Sequence, residues 1–261
     1  MATTMSYVII CSVALVASGL TFFSGFGLGT LLLPAFALFF AVEHAVALTA
    51  VVHFLNGVFK LFLIWRHIDR PTVIRFGAPA IAGGLAGAWA LMWLAGAPSV
   101  LTYSLFGRTV DVLPAKLIVG LLLLFFACAE LLPSFRSISF ATRYQPFGGL
   151  LSGFFGGLAG MQGALRSAFL IKAGLSKEAY VATGTAIAFF IDISRISVYS
   201  RLIVERRSEL DYGLLAAAVV AAFAGAIVGS RYLPKVTMGG IQGIVATMLF
   251  LVALGLISGV L

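Results

Sequence analysis

The sequence predicts an all-α polytopic membrane protein built from two repeated halves. The first observation is composition: 61% of the 261 residues are hydrophobic, 10% are charged and the mean hydropathy is +1.11, which excludes an ordinary soluble domain. The second is the recurrence of apolar segments of about 20 residues, the length that an α-helix needs to cross a bilayer. The third is an internal repeat, a feature of many membrane folds whose halves enclose a shared site near the midplane.

The repeat is clearest in two segments that align without a gap. They are Glu43 to Lys60 (EHAVALTAVVHFLNGVFK) and Glu178 to Arg195 (EAYVATGTAIAFFIDISR), and each ends in a cation. Identical residues stand at 43 and 178, 46 and 181, 47 and 182, and 54 and 189. Gene duplication is the economical explanation. It divides the chain into a first transmembrane repeat (1–132), a basic linker (133–146) and a second transmembrane repeat (147–261).

The first half opens with an apolar stretch at about 5–41 that is too long for one straight span. A helix over this stretch would be about 55 Å long, whereas the hydrocarbon layer is about 30 Å thick. We expect a break within Ser24 to Gly29 (SGFGLG), before Pro34, because glycine weakens a helix and proline lacks the amide hydrogen. Regular spans are predicted to follow at about 44–65, 75–97 and 114–132.

The second half repeats this order. Its glycine-rich stretch at about 147–174 carries Ser152 to Gly163 (SGFFGGLAGMQG) at the matching place, and regular spans are predicted at about 178–200, 212–232 and 238–260. If each glycine-rich stretch crosses once, the chain has about eight transmembrane helices. If each crosses twice, it has ten. In both cases we expect broken helices at the midplane.

The two glycine runs are candidate walls of a binding site. Non-helical backbone inside a membrane is tolerated only where it is buried in protein or lines a polar cavity, because lipid offers no partner to free amide groups. The alternative is that glycine only allows helices to approach closely, as expected for the pairs Gly83/Gly87 and Gly225/Gly229 in later spans.

The net charge and the positions of the cysteines and histidines exclude several classes of function. The net charge of +8 comes mostly from loop Lys and Arg, which set membrane topology and do not indicate a nucleic-acid partner. The first apolar run is long enough to be a retained span and not a removable signal. Cys11 and Cys128 lie in apolar segments and behave as small hydrophobic residues. The three histidines have no metal-ligand spacing, so we expect no metal, no cofactor and no enzyme active site.

Arg166 is the leading candidate for a ligand contact. It follows the second glycine run inside an apolar stretch, where an arginine costs roughly 2.5 to 3.5 kcal/mol and therefore usually has a partner or a task. Its guanidinium offers a planar set of donors that suits carboxylate, sulfonate or sulfite oxygens. Gln162 and Ser167 are neutral donors nearby, and glycine-exposed amides or a helix N-terminus can add more.

The repeat pairs a second set of cations, Lys60 and Arg195. Each lies near the end of its span, so one interpretation is that both reach the headgroups, and the other is that both flank an anion pathway. Asp192 precedes Arg195 by three residues, which allows an ion pair on one helix face. Asp192 and His53, in the middle of the first repeated span, are candidates for proton coupling. For both, a structural role is the alternative.

Residues 156–167 (GGLAGMQGALRS) bring these features together. With the glycine-run openings, Pro34 after the first run and the duplicated helix after an acidic start, they resemble the sulfite exporter TauE/SafE family, also called the 4-toluene sulfonate uptake permease family. The resemblance covers nearly the whole chain. It implies a multi-pass protein of the bacterial inner membrane that moves small anions such as sulfite, sulfonates or sulfoacetate. Where members of the family often carry a second-half counterpart of Pro34, this chain has Arg166, Ser167 and Ala168.

Together these features predict a secondary transporter that works by alternating access. The expected substrate-binding residues are Arg166, Gln162, Gly160, Gly163, Ser167, Gly27, Gly29, Lys60 and Arg195. The expected partners are the anion and the lipid bilayer, and the sequence is compatible with a homo-oligomer. A proton at His53 or Asp192, a sodium ion on unwound carbonyls, and simple exchange are alternative couplings. An anion channel and a non-transporting assembly subunit are the alternative functions.

Overall fold

The computed structural model describes residues 3–20, 28–105, 107–132, 138–205, 211–232 and 238–261. Helices of the first half are α1 (Thr4–Leu20), α2 (Leu28–Ala37), α3 (Val42–Ile64), α4 (Arg70–Ala95) and α5 (Pro114–Leu131). Helices of the second half are α6 (Gln145–Ala159), α7 (Gly163–Leu170), α8 (Lys177–Glu205), α9 (Tyr212–Tyr232) and α10 (Met238–Ser258).

The all-α polytopic fold is confirmed. Each of the six regular spans predicted from the sequence corresponds to one long helix, with ends shifted by a few residues. Within the described residues, four helices are long and apolar enough to cross a membrane: Val42–His67, Arg70–Ala95, Lys177–Val204 and Tyr212–Gly229. Shorter apolar helices add to these, at Thr4–Leu20, Leu28–Ala37, Pro114–Ala129 and Ala246–Ser258. The number of crossings stays a prediction.

A β-hairpin between α4 and α5 is an addition that the sequence analysis did not predict. Strands β1 (Leu101–Leu105) and β2 (Arg108–Val112) pair antiparallel, with Leu101 opposite Val112. Gly107 supplies the positive φ of 78° in the turn, which glycine adopts without strain. The Tyr103 hydroxyl donates to the carbonyl oxygen of Ser258 at 2.7 Å, so the hairpin is fastened to the end of α10.

The two halves exchange their first helices. Helix α1 of the first half packs on α9 of the second, and α6 of the second half packs on α4 of the first. Between α4 and α6, a Cβ on Gly83 or Gly87 would collide with the carbonyl oxygens of Leu150 or Phe154. Glycine therefore brings these backbones together, as in other membrane helix pairs.

The same packing device recurs between α9 and α1. A Cβ on Gly225 would collide with the carbonyl oxygen of Leu15, and one on Gly229 would stand 2.6 Å from that of Gly19. The close-packing interpretation is thus confirmed for both glycine pairs named from the sequence. It also applies to part of the second glycine run, because Gly153 and Gly157 of α6 press against the backbone of α4.

The repeated helices α3 and α8 lie at the centre of the molecule and pack on each other. The rings of Phe54 and Phe189 stack between them, with centroids 5.3 Å apart. Helix α2 packs on α3, and α7 packs on α6 and α8. The broken helices of both halves therefore lie against the central pair.

Candidate functional site

The second-half break is built around Gly160. This residue follows the last residue of α6 and adopts a left-handed conformation with φ of 72°, which ends a helix at little cost only when the residue is glycine. Its amide donates to the Gly156 carbonyl at 2.9 Å. The Ser152 hydroxyl donates to the Gln162 carbonyl, also at 2.9 Å, and ties the short link between α6 and α7 back onto α6.

The start of α2 meets the second-half break at one point. Helix α1 ends at Leu20 and α2 begins at Leu28. The predicted break at Ser24 to Gly29 falls partly on residues 21–27, which include the candidate Gly27 and lie outside the described part of the chain. Gly29 lies in the first turn of α2, where a Cβ would stand 2.8 Å from the Gly160 carbonyl oxygen. The glycine-rich elements of the two halves are therefore in contact.

The repeat-related cations Lys60 and Arg195 occupy equivalent places. Lys60 Nζ donates to the Ser18 carbonyl oxygen near the end of α1, at 3.3 Å. Arg195 Nη1 donates to the Gly156 carbonyl oxygen near the end of α6, at 3.2 Å. Both side chains are buried, with exposed fractions of 6% and 0%, so neither extends to the headgroups. Arg195 stabilises the negative end of α6, which stops inside the protein, and Lys60 contacts a carbonyl oxygen in the last described turn of α1.

Arg195 is also half of the ion pair that its spacing predicted. Its Nε donates to Asp192 Oδ1 at 3.0 Å, and its Nη2 lies 2.8 Å from the same oxygen. The other carboxylate oxygen, Oδ2, lies 2.6 Å from His53 Nδ1 on α3. This trio, His53, Asp192 and Arg195, joins the central helices of the two halves by charge-assisted contacts.

A chain of hydrogen bonds continues from the trio to Arg166. Gln162 Nε2 donates to Asp192 Oδ1 at 3.3 Å, and Arg166 Nη1 donates to Gln162 Oε1 at 3.3 Å. The Arg166 side chain lies along α8, since its Nε is 3.4 Å from the place of a Cβ on Gly184. The structure thus brings together five of the residues that the sequence singled out.

The first turn of α7 points its amides toward this region. The Arg166 amide donates to the Gln162 carbonyl at 3.1 Å, so the amides of Gly163, Ala164 and Leu165 precede the first intrahelical donor and have no acceptor within the helix. They carry the positive end of the helix dipole. Ser167 differs from our expectation of an available donor, because its hydroxyl donates to the Gly163 carbonyl at 2.9 Å.

Two residues that the sequence analysis did not single out complete the site. Thr49 of α3 is fully buried, and its hydroxyl has no hydrogen-bond partner among the described residues. Its Cγ2 is 3.8 Å from the place of a Cβ on Gly29, beside the start of α2. Tyr199 of α8 is fully buried and donates to the Gly157 carbonyl oxygen. One sequence signal was available for Thr49: the aligned position in the second repeat is Gly184.

The contact region of the two breaks encloses a small cavity. Its lining comes from Thr30 of α2, Phe126 of α5, Met161 of the break and Ala164 of α7. The cavity therefore lies between the starts of α2 and α7, where both helix dipoles present their positive ends. Backbone amides at the start of a helix are groups that bind a small anion.

One known family matches most of the chain. The model of one family, described as Sulfite exporter TauE/SafE, matches residues 10–256. Searches of curated proteins and of solved structures gave no match. The family match runs through both broken helices and the central pair α3 and α8, and members of this family are multi-pass membrane transporters. The chain belongs to the sulfite exporter TauE/SafE family.

Proposed function

We propose that this protein carries small oxyanions, such as sulfite, sulfonates or sulfoacetate, across the bacterial inner membrane by alternating access. The observation that carries the proposal is the meeting of the two broken helices at Gly29 and Gly160, with Arg166 following the second break. A family membership alone leaves the place of the substrate open. The meeting point gives the substrate a location between the two halves, where a movement of one half against the other changes access.

The donors around the meeting point suit an oxyanion. Arg166 supplies a charged donor, the first turn of α7 supplies backbone amides, and Thr49 supplies a buried hydroxyl that has no hydrogen-bond partner in the described part of the chain. A buried unpaired hydroxyl costs about 1 to 3 kcal/mol, and that cost is removed when an anion accepts its hydrogen bond. We therefore add Thr49 to the proposed binding residues, with Gln162 and the start of α2 beside it.

Lys60 and Arg195 support the site indirectly. Both are tied to helix ends, so neither is placed as a direct ligand. Each adds positive potential to a low-dielectric region, which favours entry of an anion. The two cations also hold the ends of α1 and α6, whose positions define where the breaks occur.

The exchange of helices between the halves suggests which parts move together. Because α1 packs on α9 and α6 packs on α4, two bundles form, each containing helices from both repeats. The central pair α3 and α8 lies against both broken helices. We propose that these bundles tilt about the central pair, and that the chain divides into repeats at 1–132 and 147–261 with a linker at 133–146.

The experiment is sulfite flux in proteoliposomes. Arg166→Gln and Arg166→Ala should each lower flux at least tenfold, because the charged donor is lost, whereas Lys172→Gln should not, since Lys172 is exposed beyond the end of α7. Sulfite on the far side should accelerate exit, as expected of a carrier. Unchanged flux in both Arg166 variants would reject the site, and flux without such exchange would favour a channel.

A thermal-shift screen identifies the substrate class. Purified protein is heated with sulfite, methanesulfonate, sulfoacetate and simple carboxylates, and a bound ligand raises the melting temperature by mass action. The proposal requires that at least one oxyanion stabilises the protein and that the shift disappears in Arg166→Gln. A shift of the same size in that variant would place the ligand elsewhere.

A further inference from the structure

The pair formed by His53 and Asp192 links the two repeats through one very short contact. His53 Nδ1 on α3 lies 2.6 Å from Asp192 Oδ2 on α8. An ionised carboxylate only accepts hydrogen bonds, and Asp192 is held by Arg195 and Gln162 on its other oxygen. Nδ1 therefore carries a hydrogen in neutral His53. Any additional proton must bind at Nε2.

Charge balance makes this second proton significant. Asp192 and Arg195 neutralise each other, so the trio has no net charge while His53 is neutral and one positive charge when His53 is protonated. The His53 side chain is 13% exposed, whereas the side chains of Asp192 and Arg195 are 1% and 0% exposed. His53 is thus the member of the trio that a proton can reach.

Hydrogen bonds connect the trio to the proposed anion site. Gln162 donates to Asp192 and accepts from Arg166, so one side chain contacts both the carboxylate beside His53 and the guanidinium beside the anion. A bound anion and a proton on Nε2 attract each other across this short path. Two opposite unit charges on the order of 10 Å apart, at an effective dielectric constant of about 20, favour joint occupancy by on the order of tenfold.

Other titratable groups stand on α3 and on the helices packed against it. Besides those described next, they are Arg70 and Arg75 of α4, Cys128 and Glu130 of α5, Lys177, Glu178, Tyr180, Tyr199, Arg201 and Glu205 of α8, and Arg231 and Tyr232 of α9. Lys60 lies two helical turns further along α3 and contacts α1, and Glu43 and His44 lie at the start of α3. Helix α2 (LGTLLLPAFA) has no titratable residue. In the other helices that pack on α3, Lys116 stands in the first turn of α5, Tyr212 begins α9, and Arg66 and His67 follow the end of α3.

We propose that a proton is the second substrate of this carrier, bound at Nε2 of His53 and taken up together with the anion. The inference rests on the proposed function. The proton comes from water on one side of the membrane, adds to the Nε2 lone pair and leaves by the same bond on the other side. No other bond changes. The pair of His53 and Asp192 has no second copy related by the repeat, because the positions aligned with Asp192 and His53 are Gly57 and Ala188.

The direct test counts protons taken up when sulfite binds. Calorimetric titrations of detergent-solubilised protein at about pH 7, in two buffers with different ionisation enthalpies, give the proton number per bound anion for wild type and for His53→Asn. Asparagine places an amide N–H near the position of Nδ1 and has no titrating group. Sulfite itself exchanges protons in this pH range, so the same titrations are run with methanesulfonate, which does not. Wild type should take up more protons than His53→Asn, by up to about half a proton for a tenfold coupling.

Matched variants locate the effect. His44→Asn removes the other histidine of α3, and Lys60→Arg keeps a cation at position 60 that does not titrate in the accessible range. Both should retain the proton number of wild type. If either reproduces the loss expected of His53→Asn, the proton site is wrong. If His53→Asn binds sulfite with the same proton number as wild type, the inference is overturned while the proposed function survives.

If the proposed function is wrong, the calorimetric titrations give a different result. In that case sulfite heat is absent from wild type as well, and the inference falls with it. Because position 53 is half-buried, His53→Gln serves as a second variant if His53→Asn does not fold. Should both misfold, NMR of wild type labelled at histidine nitrogens decides the question. Sulfite must then increase the protonated fraction of the His53 ring at about pH 7, and an unchanged fraction overturns the inference.

Discussion

Phe54 and Phe189 stack on each other with their ring centroids 5.3 Å apart and their planes inclined by 23°, and they are aligned positions of the internal repeat. A residue can contact its own counterpart only near the axis that relates the two copies. The stacked rings therefore mark the centre about which α3 and α8 are arranged. His53, next to Phe54, reaches across the same centre to Asp192.

The stacked pair should show a coupling in stability. We expect Phe54→Leu and Phe189→Leu to be non-additive by about 0.5 to 1.5 kcal/mol, the value of an aromatic pair beyond its buried area. Denaturant unfolding of the two single variants and the double variant gives this quantity. As a control, Phe59 stacks on Phe223 and not on Phe189, so Phe59→Leu with Phe189→Leu should be additive within about 0.5 kcal/mol. Additivity of the Phe54 pair would contradict the assignment of the centre.

The close packing of α4 on α6 should depend on individual glycines. Gly87→Ala forces a methyl group against the Phe154 carbonyl of α6, and we expect a loss of about 1 to 3 kcal/mol from overpacking. Gly57→Ala is the matched control, since nothing lies within 4 Å of its added Cβ. Alanine there should be neutral or more stable by about 0.5 to 1 kcal/mol, because glycine weakens a helix interior. Melting temperatures that fall equally in both variants would refute the packing argument.

Removing one partner of the ion pair between Asp192 and Arg195 should destabilise the protein strongly. Replacing both partners by apolar residues should destabilise it much less. Asp192→Leu leaves a fully buried guanidinium without its carboxylate, which costs about 3 to 5 kcal/mol in comparable buried pairs. Asp192→Leu combined with Arg195→Met removes both charges and should recover most of that loss. Thermal unfolding in one detergent measures both. A double variant that is as unstable as the single one would show that Arg195 acts mainly through the Gly156 carbonyl.

Substitution of Thr49 should lower the affinity for the anion without lowering the stability of the protein. Thr49→Val keeps the shape and removes a hydroxyl without a described partner, so stability should be unchanged or higher. Sulfite affinity should fall about tenfold, the value of a hydrogen bond to a charged ligand. Thr183→Val provides the opposite case: the Thr183 hydroxyl accepts from the Asp69 amide at 2.9 Å, so stability should fall and affinity should not. Unchanged affinity in Thr49→Val would remove Thr49 from the site.

Asp211 should give the protein an acid-sensitive contribution to stability. It stands directly before α9, outside the membrane-spanning segments, and its pKa is lowered by hydrogen bonds from the Leu214 amide and then from the Tyr7 hydroxyl. A lowered folded-state pKa stabilises the protein above the unfolded value of about 3.9, and this contribution is lost as pH falls through the folded-state pKa.

The measurement is the melting temperature between about pH 7 and pH 3. Wild type should lose more stability in this range than Asp211→Asn, in which position 211 no longer titrates. Tyr7→Phe should lie between the two, because it removes the smaller of the two hydrogen-bond causes. Parallel curves for wild type and Asp211→Asn would exclude the Asp211 contribution.

Much of the fold was predictable because bilayer crossing leaves a direct pattern in the sequence. The long apolar segments predicted the long helices to within a few residues, and Gly160 lies inside the glycine run that predicted the second break. The ion pair of Asp192 with Arg195 was predictable because both stand on one helix, three residues apart. The hairpin Leu101–Val112 was not predicted. Its two strands have five residues each, and so short a segment between two spans has no clear periodic pattern.

The partners of the site residues depend on long-range packing. The sequence placed Lys60 and Arg195 near helix ends, but the exchange of α1 and α6 between the halves buries both. His53 and Asp192 are 139 positions apart, and no local pattern joins them. Thr49 carries no motif, and its alignment with Gly184 of the second repeat is its one sequence signal. It becomes informative only because its buried hydroxyl has no described partner beside Gly29.

The sequence by itself determined the membrane fold, the repeat, the second break and the family, because hydrophobic length, glycine position and residue identity act locally along a chain. Tertiary structure decided which of the marked residues form one site. Packing of α3 on α8 brings His53 to Asp192, and contact of α2 with the second break brings Gly29 to Gly160. The physical reason is that buried charges and free amides are stable only with partners, and those partners come from the other half of the protein.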